Sequence, residues 1–197
     1  MQTDFLWKQA INEKLLEELN ITKVIIPQKN HEEEIIEKEK LKKIKIIECN
    51  LIEKKESYKK KDKITAINCK NPNDCMWAAS SKTIDMIIQP FTTEKNFIDR
   101  QTAEMLAKNE VFTAILFSEF LEKQKQQRQL LMKNAMQSIK ILEKTKAKTL
   151  IFSGAKNQHQ IRAPKDLVSF LITLGMKKEN AIKTIKENTK KLEERLT

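Results

Sequence analysis

The sequence predicts an α/β fold: a compact, TIM-barrel-like (β/α) barrel built mainly of parallel strands. Three observations carry this expectation. Short runs of β-branched and aliphatic residues alternate along the chain with stretches of helical period, the order that βαβ units take. Several of these runs are apolar at consecutive positions, as strands covered on both faces of a parallel sheet are. Six or seven such units favour a closed or nearly closed barrel over an open sheet. About 200 residues is the small end for this architecture, so short helices or a missing unit are expected.

The elements follow in order. A weak strand signal at residues 3–6 opens the chain. Leu15, Leu16 and Leu19 share one helical face over residues 13–19. Strands are predicted at residues 22–27 ("TKVIIP"), 43–52 ("KIKIIECNLI") and 63–69 ("KITAINC"). Between the first two, "HEEEIIEKEK" is acidic at its start, as a helix N-terminus prefers. Asn73 is read as the cap of a helix that runs through Ser81. A strand at residues 84–90 follows, then a helix with Ile98, Thr102, Met105 and Leu106 on one side. After a strand at residues 111–118 comes the longest helix, residues 121–146, with an apolar stripe of Leu131, Ala135, Ile139 and Leu142. Its first two turns, "EKQKQQRQ", are polar all round and should project into solvent. A last strand spans residues 148–154.

Length and composition fit one domain over residues 1–197 with a sizeable core. No apolar run approaches the roughly 18 residues of a membrane span. "MQTDFLWKQAINEK" shows neither the basic start nor the apolar stretch of a signal peptide. The odd set Cys49, Cys69 and Cys75 contains no C-x-x-C pair. Together these point to a reduced, cytoplasmic protein without a structural disulfide. The net charge of +11 points to a polyanionic partner, nucleic acid first. All but four of the 38 basic residues are lysine. That skew fits A/T-rich coding as well as RNA binding. The lysine-rich run at residues 53–63, "EKKESYKKKDK", reads as a solvated segment, with a phosphate-facing patch as the sharper alternative.

A protein-based active site is hard to assemble from these residues. The two histidines, His31 and His159, have no metal-ligand partners at helical or strand spacing. Two glycines forbid both a phosphate-binding P-loop and a Gly-x-Ser-x-Gly elbow. Asp4, Asp85 and Asp99 sit near strands and read as caps, turn residues or solvent-facing carboxylates. Cys69 reads as a core residue. No catalytic residue and no bound metal are therefore assigned to the protein.

The stretch "TLIFSGAKNQHQIRAPKDLVSFLITLGM", residues 149–176, is different. A buried strand ends in Ser153-Gly154-Ala155, where glycine permits positive φ or close backbone approach. Such a rim can form a phosphate site from backbone N–H groups, with Ser153 adding a hydroxyl. Pro164 fits the first helical position and Asp166 the first turn. Leu167, Phe170, Leu171 and Leu174 form the apolar face, and Gly175 the C-cap. Arg162 precedes this helix in a chain that otherwise uses lysine. Its planar fork suits phosphate or carboxylate. A staple to Asp166 is the competing reading, and the two stay open.

This stretch resembles the end of the thirty-kilodalton class of archaeal and eukaryal ribonuclease P proteins (component 3 in archaea). That family closes a strand with Ser-Ser/Gly-Ala, then carries Arg-x-Pro-x-Asp-Leu, an apolar helix, Leu-Gly-Met or similar, and a last helix. Upstream, "IDMIIQPF" and "IDRQTAEMLAKNEVFTAILFSEFL" resemble further family segments, the second with Asp99-Arg100 where the family has Asp-His. The similarity runs from about residue 63 to residue 176. It implies a barrel akin to metal-dependent phosphoesterase barrels but not reliant on their metal cluster. It further implies a ribonuclease P subunit that supports the catalytic RNA in removing the 5′ leader of precursor tRNA. The RNA would do the chemistry with Mg²⁺, and a small ferredoxin-like ribonuclease P protein would be the protein partner. The resemblance carries over Ser153, Gly154, Ala155, Arg162, Pro164 and Asp166. Lys156, Lys165 and Arg100 join them as basic candidates for contact with RNA or partner. A small barrel phosphoesterase, with the Ser153–Gly154 rim as its phosphate site, and an unrelated basic RNA-interaction protein are the alternatives.

Overall fold

The computed structural model describes residues 2–29, 43–52 and 63–196. Seven strands follow the chain: β1 (Thr3–Phe5), β2 (Lys23–Lys29), β3 (Lys45–Ile52), β4 (Ile64–Asn68), β5 (Met86–Ile88), β6 (Phe112–Leu116) and β7 (Thr149–Phe152). They form one sheet in sequence order, and every neighbouring pair is parallel. The ends of β1 and β7 then meet. Leu6 bridges Ala155, Trp7 N donates to Ala155 O at 2.9 Å, and Gly154 N donates to Phe5 O at 3.0 Å. A nearly closed barrel of seven strands results.

The helices are α1 (Glu13–Glu18), α2 (Pro72–Ser80), α3 (Arg100–Lys108), α4 (Ser118–Leu121), α5 (Lys125–Thr145), α6 (Pro164–Thr173), α7 (Lys178–Lys183) and α8 (Thr189–Glu193). The acidic segment after β2 and the lysine run after β3 lie outside the described residues, as does His31.

Consecutive apolar residues in the strands serve two layers at once. In β2, Ile25 points into the barrel, while Val24 and Ile26 pack outward against α1. In β6, Phe112, Ala114 and Leu116 line the interior, and Ile115 meets α5 and α6. Period-two alternation is preserved, but both faces are apolar because helices cover the outside.

Two element boundaries differ from the sequence reading. The cap of α2 is Asn71, whose Oδ1 accepts from Asp74 N at 3.0 Å, with Pro72 at the first helical position. Asn73 lies inside the helix. The expected long helix begins about four residues later, as α5, and a separate short helix, α4, precedes it. Arg128 folds back from α5 and donates to the carbonyls of Phe120, Leu121 and Lys123, filling the carbonyl positions left open at the break.

The C-terminal segment plugs the N-terminal end of the barrel. A single π turn (Thr184–Asn188) leads into α8, and Leu192 enters the interior cluster with Phe5, Ile25 and Phe152. Asn188 Nδ2 donates to Thr149 O at 2.8 Å, and Glu193 accepts from Thr3 Oγ1 and Lys23 Nζ. Arg195 reaches Asp85 at 3.2 Å, donates to Glu110 O at 2.7 Å and lies over the Phe112 ring. No helix among the described residues is long and apolar enough to cross a membrane. The three cysteines are free thiols buried in the core, and burial pushes the Cys49 thiol far up.

Candidate functional site: the barrel seam and its C-terminal rim

The seam is made by the residues singled out after β7. Ser153, Gly154 and Ala155 are all buried. Ser153 N donates to Asp4 Oδ1 at 2.7 Å, and Ser153 O accepts from Ser118 N at 2.9 Å. Gly154 O accepts from Ser118 Oγ at 2.7 Å. The tripeptide thus ties the ends of β6, β7 and β1 together. Ser153 N and Gly154 N are spent on this closure, so they are not open to a phosphate, as the sequence reading had suggested they could be. The burial of these three residues is a consequence of closure: a strand end that must bond to two neighbours cannot also face solvent.

Gly154 carries the geometry. Its φ is +61°, and a Cβ built on it would lie 2.8 Å from Leu116 Cβ and 2.9 Å from Ser118 Oγ. Neither the conformation nor the space admits a side chain.

Asp4 and Asp85 are not the caps or solvent-facing groups that the sequence suggested. Each is 2% exposed. Asp4 Oδ1 accepts from the N–H groups of Phe5 and Ser153, and so joins the first strand to the last. Asp85 Oδ2 accepts from Thr65 N at 2.9 Å. Asp99 does cap α3, and the hydrogen bond from Thr102 N lowers its pKa.

Burial pushes the Asp4 carboxyl up from 3.8 to about 6, against the hydrogen bonds from Ser153 and Phe5. The folded state therefore favours the protonated acid. The stability Asp4 contributes is fully present below pH 3.8 and is lost as pH rises through about 6. The gap corresponds to about 3 kcal/mol. Asp4→Asn keeps an acceptor oxygen and removes the ionisation. It is expected to be about 1–2 kcal/mol more stable than wild type at pH 7.5, because its amide N–H₂ gives back part of the gain. Urea denaturation of both proteins from pH 4 to 8 measures this. A variant less stable than wild type at pH 7.5 would show that the native seam needs the carboxylate.

Arg162 is held by its own loop. Its backbone N–H donates to Ser153 Oγ at 2.9 Å, and Nη1 donates to the carbonyls of His159 and Ile161, each at 2.8 Å. The guanidinium lies 5.5 Å from the centroid of the Phe117 ring. The staple to Asp166 is not made. Asp166 is an exposed first-turn acid of α6, beside exposed Lys165 and buried Pro164 at the first helical position. Exposed His159 sits in a short 3-10 turn.

The remaining rim candidates are exposed but engaged. Lys156 Nζ lies 2.8 Å from Glu122 and 3.7 Å from Glu119. Burial lowers its pKa, yet these two carboxylates together raise it above the ordinary lysine value. Arg100 pairs with Glu104 one turn along α3 at 2.8 Å. Because helices in a parallel barrel start at the strand C-termini, Arg100, Lys156, Arg162 and Lys165 share one end of the molecule.

At the centre of that end is a cavity of about 250 Å³, lined by Trp7, Asn68, Gln89 and Glu119 among others. Gln89 was missed by the sequence reading. It adopts φ +47°, and its Oε1 accepts from Leu116 N at 3.0 Å. A polar residue between an apolar strand and Pro90 was the available signal. Among the described residues the donor set does not fit a metal cluster: Glu119 is the single carboxylate of these lining the cavity, and it faces Lys156. Among the described residues, no three His, Cys, Asp or Glu side chains gather as metal ligands.

A seven-stranded parallel barrel closed by a tightly bonded seam defines a protein of the TIM-barrel-like class. The family RNase P subunit p30 matches residues 8–195. The chain belongs to this family, and is thus a protein subunit of ribonuclease P, the endoribonuclease that processes the 5′ ends of tRNA. Among solved structures, the fold is similar to a chain of an archaeal ribonuclease P determined by cryo-EM with mature tRNA. The TM-score is 0.82 at 22% identity, covering 98% of this chain and 90% of that one.

Proposed function

We propose that this subunit is an RNA-facing scaffold of ribonuclease P. It binds the ribonuclease P RNA, stands near the precursor tRNA in the holoenzyme, and pairs with a small ferredoxin-like protein subunit in the cytoplasm. Cleavage is left to the RNA and its Mg²⁺ ions. The observation that carries this reading is the family match across residues 8–195 on a chain of net charge +11. The solved relative, from a ribonuclease P bound to mature tRNA, supports the RNA partnership. Three buried free thiols support a reducing compartment.

The physical role follows from charge. Folding a large RNA brings phosphates together. A lysine-rich surface offsets that repulsion and releases condensed counterions. The rim residues Arg100, Lys156, Arg162 and Lys165 are assigned to contact with RNA or the protein partner. Around Ser153–Ala155 the contribution is indirect, through the rigid seam that positions the rim.

Reconstitution tests the reading. Adding the protein to ribonuclease P RNA and the other subunits should raise 5′-leader removal, and the protein alone should cleave nothing. Its affinity for that RNA should fall linearly with salt on logarithmic axes, with a slope of about −3 to −6 for four to seven phosphate contacts. A flat salt dependence, or no gain in processing on reconstitution, would sink the proposal.

A further inference from the structure

Among the described residues, a cluster of exposed lysines gathers at the opposite end of the barrel from the rim. Two hollows flank the helical segment 183–190 beside the C-terminal plug. One, of about 440 Å³, is lined by Lys146, Lys148 and Lys183. The other, of about 590 Å³, is lined by Lys23, Lys45, Lys186 and Lys190. The carboxylates that line them are Glu143, Glu193 and Glu194. Seven lysines against these three glutamates and Glu110, the partner of Lys148, leave a local excess of three positive charges. At the rim cavity the corresponding described residues are one lysine, Lys123, and one glutamate, Glu119.

The pairing pattern sharpens the contrast. Lys23 is taken by Glu193, and Lys148 by Glu110. Glu143 is occupied by amide donors, Lys177 N and Asn180 Nδ2. Lys190 and Glu194 meet only at 3.9 Å, both well exposed. Lys45, Lys146, Lys183 and Lys186 are exposed and make no ion pair among the described residues. Two features hold this end rigid. Lys146 takes the left-handed position that ends α5, at φ 60°, and the π turn fixes the path between Lys183 and Lys186.

We infer that the N-terminal end of the barrel is the surface that tracks the ribonuclease P RNA backbone, with Lys45, Lys146, Lys183 and Lys186 on its phosphates. Lysine suits this role: a mobile point charge binds phosphate without reading sequence. The rim, where Arg100 and Lys156 already hold carboxylates, is then left to the protein partner. The inference rests on the RNA-binding role proposed above and assigns its location.

Affinity of the full-length protein for ribonuclease P RNA, measured across a KCl series, tests it. Lys183→Glu with Lys186→Glu should weaken binding about 10- to 100-fold at 150 mM KCl and make the salt slope shallower by about 1.5–2. Lys133→Glu with Lys140→Glu, on the exposed face of α5, is the charge-matched control and should leave both nearly unchanged. Arg100→Glu with Lys165→Glu, at the rim, should shift them far less than the Lys183 and Lys186 pair. Lysine acetylation read by mass spectrometry adds a measurement that needs no variant: RNA should protect Lys146, Lys183 and Lys186. A steep wild-type slope that shifts with the rim pair but not with Lys183 and Lys186 would overturn the location and leave the RNA-binding role standing. A wild type that does not bind the RNA would overturn both.

Discussion

Gly154→Ala should lower the unfolding free energy by about 3 kcal/mol and Tm by roughly 6–12 °C. Two costs combine. A Cβ at this position would overlap Leu116 Cβ at 2.8 Å and crowd Ser118 Oγ at 2.9 Å, which is overpacking in a rigid seam. The backbone at φ +61° adds the left-handed penalty of an L-residue, about 1–2 kcal/mol. Gly175 supplies the internal comparison. It also has positive φ, +94°, but nothing lies within 4 Å of its absent Cβ. Gly175→Ala should therefore cost only about 1 kcal/mol. Urea denaturation of the two variants measures the difference. Equal, small losses would mean that the ends of β6 and β7 give way easily, and that the seam is not what closes the barrel.

Arg195→Ala should cost about 3 kcal/mol. Its guanidinium faces the buried carboxylate of Asp85 and also binds Glu110 O. Removing it takes the guanidinium from Asp85, which is 2% exposed, and breaking a buried pair from one side is costly. The same change loosens the plug that places Leu192 in the interior. A double-mutant cycle with Asp85→Asn isolates the pair. The double variant should lose less than the sum of the singles by about 1–3 kcal/mol. Strict additivity would show that the plug holds through packing alone and that the ion pair contributes nothing.

Much of the architecture was legible in the residues. The runs "TKVIIP", "IDMIIQP" and "VFTAILFS" are apolar at successive positions because each residue packs either inside the barrel or under a helix. Parallel order and barrel closure followed from that pattern and from the alternation with helices. The Arg-x-Pro-x-Asp-Leu element also read correctly as a helix start: Pro164 and Asp166 act locally, and local rules need no tertiary knowledge. The end of α6 is similar. Gly175 N and Met176 N donate back to Ile172 O and Leu171 O, the turn that a glycine after a helix announces.

Other left-handed helix ends were invisible. Asn20, Glu110 and Lys146 occupy the same conformation without glycine. The cost is about 1–2 kcal/mol at each, and packing outweighs it. Hence a glycine-poor chain gives no warning of those turns. The break between α4 and α5 was hidden for a related reason: Arg128, in a stretch that is polar all round, satisfies carbonyls five to eight residues earlier, and no periodicity records that choice.

The sequence by itself determined the strand–helix order, the doubly covered sheet, the family and the excess of positive charge. These depend on which residues stand next to each other and on composition. Only the tertiary structure decided the roles of Asp4, Asp85 and the Ser153–Ala155 turn, and which of the described lysines are left without an ion pair. Asp4 meets Ser153 across 149 positions of chain, and Asp85 meets Arg195 across 110. A carboxylate next to a strand looks like a surface residue until closure buries it. Lysines at positions 45, 146, 183 and 186 become neighbours only when the barrel brings the starts of its strands and its last helices to one end.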